Sequence, residues 1–275
     1  MNTRPVLCHF HMFKNAGTSL DGALQREFGA AFAEYDGPRA NYALSPDEVR
    51  AFIEPRPALR AFSSHQVRFP LPEIPEVRWL PAILLRHPLD RAASVYRFER
   101  RQRSNSPGAT QAKRLDFVGY VRWRLGQGAH NLLCDFQTAF LSSNPAEGVR
   151  RADLAVATAR LESAPLAGTV ERMDESLACA EPALREHFPG LDLSYRMRNV
   201  GRDRGSTLAE RLAESRAELG DALYGELEAR NARDFRLHER ADALLDARLA
   251  AQADRAALLA DFAARCAARR SAEVA

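Results

Sequence analysis

Along most of the chain, short, mainly apolar runs alternate with stretches whose apolar residues recur at helical spacing. Residues 6–12 form one such run and predict a buried strand, and Leu20, Ala23, Leu24 and Phe28 then follow on one helical face. Ser45, Pro46 and Glu48 make a helix start signal of cap, first-turn proline and acid three places after the cap. That helix ends before Pro55 or Pro57. Residues 59–63 predict a second strand leading to Ser64 and His65, and a loop broken by Pro70, Pro72 and Pro75 comes next. Residues 79–85 are a third apolar run that stops at Arg86, after which Pro88 opens a helix through Arg91, Ser94, Val95, Tyr96 and Phe98. The polar stretch 100–110 predicts a mobile surface loop. Residues 117–125 and 130–141 predict helices, 166–170 a strand and 173–188 a further helix.

This order predicts an α/β fold, a mostly parallel sheet flanked by helices on both faces. In such sheets ligands sit at the carboxyl ends of the strands. Residues 12–14, 64–65 and Arg86 all fall at predicted strand ends. From Thr207 onward the texture changes to Ala, Leu, Arg and Glu, with no proline and no glycine after Gly225, which predicts two or more long helices. The expected division is an α/β domain over 1–240 and a helical extension over 241–275. Leu258, Leu259, Phe262 and Cys266 form one apolar stripe on that extension. It packs on its own domain, makes a homodimer contact or, third in order, lies on a membrane surface.

The segment 9–20, HFHMFKNAGTSL, passes from strand through a turn into a helix and holds the chemistry for an anion. A helix start points backbone N–H groups outward and carries partial positive charge. Lys14 adds a full charge, Gly17 lets the backbone approach a ligand, and Thr18 and Ser19 add hydroxyls; Asn15 and Ala16 complete the turn. The lysine precedes the glycine and no hydroxyl follows it directly, so the order is not that of a Walker A loop holding magnesium-ATP. At the end of the run 79–85, Arg86 and Ser94 stand where a charged fork and a hydroxyl can grip one phosphate.

Composition narrows the partners. A formal charge of +3 is too small to argue for nucleic acid, and hydrophobic content of 46% with 27% charged residues is that of an ordinary globular chain. Cys8, Cys134, Cys179 and Cys266 are widely spaced and form no CxxC, so neither a zinc site nor a disulfide framework is expected. The first residues enter a strand almost at once, without a leader pattern, and no apolar run reaches the roughly 18–20 residues that span a bilayer. The expected location is the cytoplasm.

Taken together, HMFKNAGTS and the segment Arg86-His87-Pro88 through Arg91, Ser94 and Tyr96 resemble the sulfotransferases that use 3′-phosphoadenosine 5′-phosphosulfate (PAPS), and the carbohydrate-type and bacterial branch in particular. That branch carries H-x-P-K-x-x-G-T-S and R-D-P-x-x-R-x-x-S-x-Y; Phe13 here replaces a proline and His87 an aspartate. SSHQVRFPLP around His65, DFQTAFLS around Gln137, GTVERMDESL and the basic loop RNVGRDRG extend the similarity. The resemblance implies a P-loop-like sheet in which the turn from Lys14 to Ser19 holds the 5′-phosphosulfate. It implies that Arg86 and Ser94 hold the 3′-phosphate, with Arg202 adding to that grip or to the adenine side.

It further implies sulfuryl transfer to an acceptor hydroxyl, on a carbohydrate or glycolipid, by in-line displacement without a metal. Lys14 would neutralise the leaving phosphate and His65 would act as base, with His11 as the competing candidate; His9 and His11 read as buried strand residues. An ATP-dependent kinase and a non-catalytic nucleotide-binding interaction protein are the alternatives.

Overall fold

The computed structural model describes residues 3–39, 42–127, 132–143, 153–196 and 206–271. Five strands form one sheet: β1 (Arg4–Phe10), β2 (Phe32–Glu34), β3 (Ala61–Ser64), β4 (Val77–Leu85) and β5 (Leu166–Thr169). The helices are α1 (Gly17–Phe28), α2 (Pro46–Ile53), α3 (Pro88–Arg101), α4 (Pro107–Arg114), α5 (Phe117–Leu125), α6 (Phe136–Ser142), α7 (Leu154–Ser163) and α8 (Met173–Arg185). Beyond them come α9 (Leu208–Ala229), α10 (Ala232–Ala250) and α11 (Arg255–Ser271).

The sheet is parallel throughout, in the order β2-β3-β1-β4-β5. β1 is therefore central. The chain leaves it toward β2 and β3, then crosses back to lay β4 on its other side. The connections after β1 and β4 run in opposite directions, which opens a crevice at their carboxyl ends. β1 is buried on both faces from Val6 onward, as its mainly apolar run requires. Val6, Cys8 and Phe10 face a core with α2, α6, α7 and α10, and Leu7 faces a second core with α1, α8 and α11.

Local signals give the expected elements where they are complete. Ser45 and Glu48 form the capping box of α2, with Pro46 at its start. The polar stretch 100–110 is a correction: α3 runs to Arg101, and α4 starts at Pro107, capped by the Ser106 side chain accepting from the Ala109 N–H. The helix expected from 130 starts at Phe136 instead, after Asp135 in a left-handed conformation (φ 43°).

The extension is not separate. α10 crosses position 240 without a break, and its Leu237 and Ala241 lie in the first core. On α11, Phe262 and Cys266 are fully buried in the second core, so that stripe packs on the chain itself. No helix among the described residues is long and apolar enough to cross a membrane.

Candidate functional site

The turn after β1 and the end of β4 are stitched together. The Asn15 side chain donates to the Leu84 carbonyl (2.8 Å) and to Gln137 Oε1 (2.7 Å), while Arg86 Nη1 donates to the Lys14 carbonyl (3.1 Å) and to Ser94 Oγ (3.1 Å). Gln137 closes the circuit by accepting from the Arg86 N–H and donating to the Arg86 carbonyl, each at 2.8 Å. Its own backbone N–H is held by Asp234 of α10. Lys14, Arg86 and Ser94 thus meet at one place, whereas the buried Asn15 acts as a brace.

Two non-glycine residues of the turn, Lys14 (φ 67°) and Ala16 (φ 57°), are left-handed. For such residues this conformation costs roughly 1–2 kcal/mol each. Ala16 is also the N-cap of α1, and no side chain caps that helix. A strained turn leading to an uncapped helix start is a concavity of backbone N–H groups suited to an anion. Gly17 is needed for a different reason from the one expected. A Cβ there would stand 2.1 Å from His11 Cδ2, so the imidazole fills the space a side chain would take. Thr18 is exposed and Ser19 is buried.

On the β4 side, Lys14 Nζ lies 4.4 Å above the Phe98 ring of α3. Burial first, then the charges of Arg86, Arg101 and Arg97, push the ammonium down to about 8. No carboxylate among the described residues pairs with it. Arg86 is anchored by Asp90, whose carboxylate also holds Arg211 of α9. Burial works to raise Asp90, and the two guanidinium groups overcome it, keeping the carboxyl below the usual range. Arg91 is fully buried rather than solvated: it donates to the Phe13 and Leu132 carbonyls and lies over Phe136.

On the β3 side, His65 Nδ1 is 2.9 Å from Asp36 Oδ2, and Asp36 Oδ1 accepts from the His65 N–H and the Ser64 hydroxyl. The carboxylate fixes the ring through Nδ1, and its hydrogen bond raises His65 above the ordinary imidazole value. The His65 ring stacks on His11 (centroids 3.9 Å apart), and His11 on His9 (5.1 Å). Asp21 of α1 takes both inner imidazoles, with His9 Nδ1 and His11 Nδ1 each 2.7 Å from one of its oxygens. Burial pushes His11 down to about 4.

His9, His11 and Asp21 bring their ligand atoms within 4.8 Å of one another, and these three could hold a metal ion. The spacing in the sequence does not reveal this cluster. The arrangement is also complete without an ion, because both carboxylate oxygens already have imidazole partners. His9 and His11 are buried and hydrogen-bonded as read from the strand pattern, and Nδ1 of His11 is taken by Asp21.

Asp36, Asp21, Arg97 and Arg101 escaped sequence reading. Asp36 stands in the turn sequence Tyr-Asp-Gly-Pro, where an aspartate needs no explanation beyond the turn itself. Arg202, with Asn199 and Gly201, lies outside the described residues. His87 stands at the N-cap of α3, and its N–H donates to Glu171 Oε1 (2.8 Å).

No protein-family model matches the chain. It is 33% identical over 242 residues to an uncharacterized protein of Archaeoglobus fulgidus, an alignment covering 86% of this chain and 96% of that protein. At that identity and coverage, this chain belongs to the same family as the Archaeoglobus fulgidus protein.

Proposed function

We propose that the protein is a sulfotransferase that moves a sulfuryl group from PAPS to an acceptor hydroxyl, with a carbohydrate or glycolipid as the acceptor class. One observation carries the reading: Arg86 Nη1 bonds both the Lys14 carbonyl and Ser94 Oγ, so the two motifs of the resemblance form one cationic edge at the crevice between β1 and β4. The residues fit a doubly anionic nucleotide. An uncapped helix start follows two left-handed residues, and Lys14 lacks a carboxylate partner among the described residues.

The donor supplies the sulfuryl group and a phosphate leaving group; the rest falls to the chain. Lys14 and the N–H groups at the start of α1 stabilise negative charge growing on the leaving oxygen, a role in which one preorganised donor is worth ~3–4 kcal/mol. His65 Nε2 takes the acceptor proton as the new oxygen–sulfur bond forms, with Asp36 holding the tautomer that leaves this nitrogen unprotonated. Asn15 and Gln137 keep the turn in register with β4.

Thermal shift with adenosine 3′,5′-bisphosphate and with magnesium-ATP separates this reading from a kinase, because a ligand that binds the folded state raises Tm. Stabilisation by the bisphosphate alone is expected, together with transfer of label from PAPS to a panel of hydroxyl acceptors. Stabilisation by magnesium-ATP alone would overturn the reading.

A further inference from the structure

A cavity of about 470 Å³ lies between α1 and α11, large enough for a small ligand. Ser19, Gly22 and Arg26 line it from one stripe of α1, and Arg265, Ala268 and Arg269 line it from α11. Arg196, in the segment after α8, completes the wall. Four guanidinium groups therefore face the cavity and no carboxylate lines it.

These arginines are held from behind. Arg26 donates to the Ser194 and Asp192 carbonyls, both at 2.6 Å. Arg265 is fixed by Glu181 (2.7 Å) and Asp261 (2.8 Å), and Arg269 by Ser194 Oγ and Asp192. The single carboxylate Asp192 serves three of the four, standing 3.9 Å from Arg26 and in contact with Arg265 and Arg269. Nε of Arg26 and Nη1 of Arg269 donate to no acceptor among the described residues. Burial, and then the charge of Arg269, hold Arg26 below the ordinary arginine value. Arginines fixed in this way, with Arg26 and Arg269 close enough to repel one another, lose little freedom when an anion arrives.

We infer that the arginine-lined cavity between α1 and α11 binds a phosphate monoester of nucleotide or sugar size. Guanidinium forks match phosphate oxygens two at a time, and a dianion answers a wall of four cations better than a carboxylate does. The volume exceeds what inorganic phosphate fills, so the ester carries an organic body. Ser19 belongs both to this wall and to the first turn of α1. The ester is therefore either a phosphate of the nucleotide held at the turn or a separate phosphorylated metabolite beside it. In both cases the C-terminal helix becomes part of a ligand site.

Calorimetry with adenosine 3′,5′-bisphosphate and with inorganic phosphate tests this on the full chain, comparing Ala268→Glu with Ala268→Gln. Ala268 is exposed and donates no side-chain hydrogen bond, so neither change dismantles the arginine clamp. The added carboxylate is expected to weaken binding by roughly tenfold or more, and the neutral amide of like size by less than about twofold. Loss of bisphosphate affinity in Ala268→Glu places the nucleotide's own phosphate in the cavity. Loss of inorganic phosphate binding alone, persisting in a Lys14→Ala background, assigns the cavity to a separate metabolite. Arg196→Ala, at the cavity edge, is expected to weaken the same ligand severalfold and serves if Ala268→Glu fails to fold. Affinities unmoved by all three changes, or wild-type protein that binds neither probe, would overturn the inference. A failed Lys14 assignment would show separately, as bisphosphate binding and transfer indifferent to Lys14→Ala.

Discussion

On the β3 side of the β1 turn every imidazole has a carboxylate, with His9 and His11 on Asp21 and His65 on Asp36, whereas on the β4 side Lys14 sits among Arg86, Arg97 and Arg101. On that second flank Asp90 is taken up by Arg86 and Arg211. Paired imidazoles and carboxylates handle protons, and clustered cations handle anions. The same strand end, that of β1, feeds both flanks.

The comparison breaks most sharply at Lys14. Lys14→Ala is expected to lower sulfuryl transfer roughly a hundred- to thousandfold, about 3–4 kcal/mol, while bisphosphate affinity falls far less. Steady-state rates set beside calorimetry check this, and transfer at the wild-type rate would remove the cationic flank from the chemistry.

The imidazole flank makes the opposite kind of statement, about stability. His11 lies at about 4 in the folded chain against an ordinary 6.5, so the unfolded chain takes up a proton that the folded one refuses. Stability is therefore present above pH 6.5 and is lost as the pH falls toward 4, by on the order of 3 kcal/mol from this residue. Asp21 acts in the same direction at lower pH, since its imidazole contacts outweigh burial and hold it below the usual carboxylate range. Thermal melts from pH 7.5 to 4 should show this slope, and His11→Gln should flatten it. An equal slope in the variant would place the acid sensitivity elsewhere.

Packing between the flanks is tested at Gly17. Gly17→Ala drives a methyl into a ring held by Asp21 and stacked between His9 and His65, so a loss of about 1–3 kcal/mol is expected. Adding His11→Ala should recover much of it. Additive losses in denaturant titrations would mean that the imidazole is not the obstacle.

Asp36→Asn is expected to cost roughly tenfold in kcat/KM and to move the lower limb of the pH–rate profile downward, because His65 loses the bond that raises it. A slower enzyme with an unmoved profile would make Asp36 a structural residue only. The smallest effect is expected at Ala16, where glycine relieves the left-handed strain and should add ~1 kcal/mol to stability. A fall in Tm for Ala16→Gly would show that the turn is not strained.

What could be read from the sequence was local. The capping box at Ser45 spans four residues, and β1 and α1 follow from apolar periodicity alone. The Ser106-Pro107 start of α4 uses the same Ser-Pro chemistry as Ser45-Pro46, but lacks an acid three places after the cap and is followed by a glycine, so its sequence reads as loop. β2 is three residues long at a sheet edge, too short to leave a period. In the site, residue type marks Lys14 and Arg86 at strand ends and Ser94 two turns into the helix after β4. Asp36 lies 29 positions from His65, and only the pairing of β2 with β3 brings them together. Asn15 suited a ligand role equally well by sequence, and its buried contacts alone identify it as a brace.

The Asn15–Gln137–Asp234 brace has a bearing on synthesis. The turn leaves the ribosome early, yet Gln137 follows it by 122 residues, and the carboxylate that fixes the Gln137 N–H arrives 97 residues later still. A nascent chain can lay down β1 and α1 at once. The crevice at the ends of β1 and β4 can take final shape only when the translated length is nearly whole, so a fragment halted before α10 would hold the turn through Leu84, Arg86 and Gln137 but lack the carboxylate that fixes the Gln137 N–H.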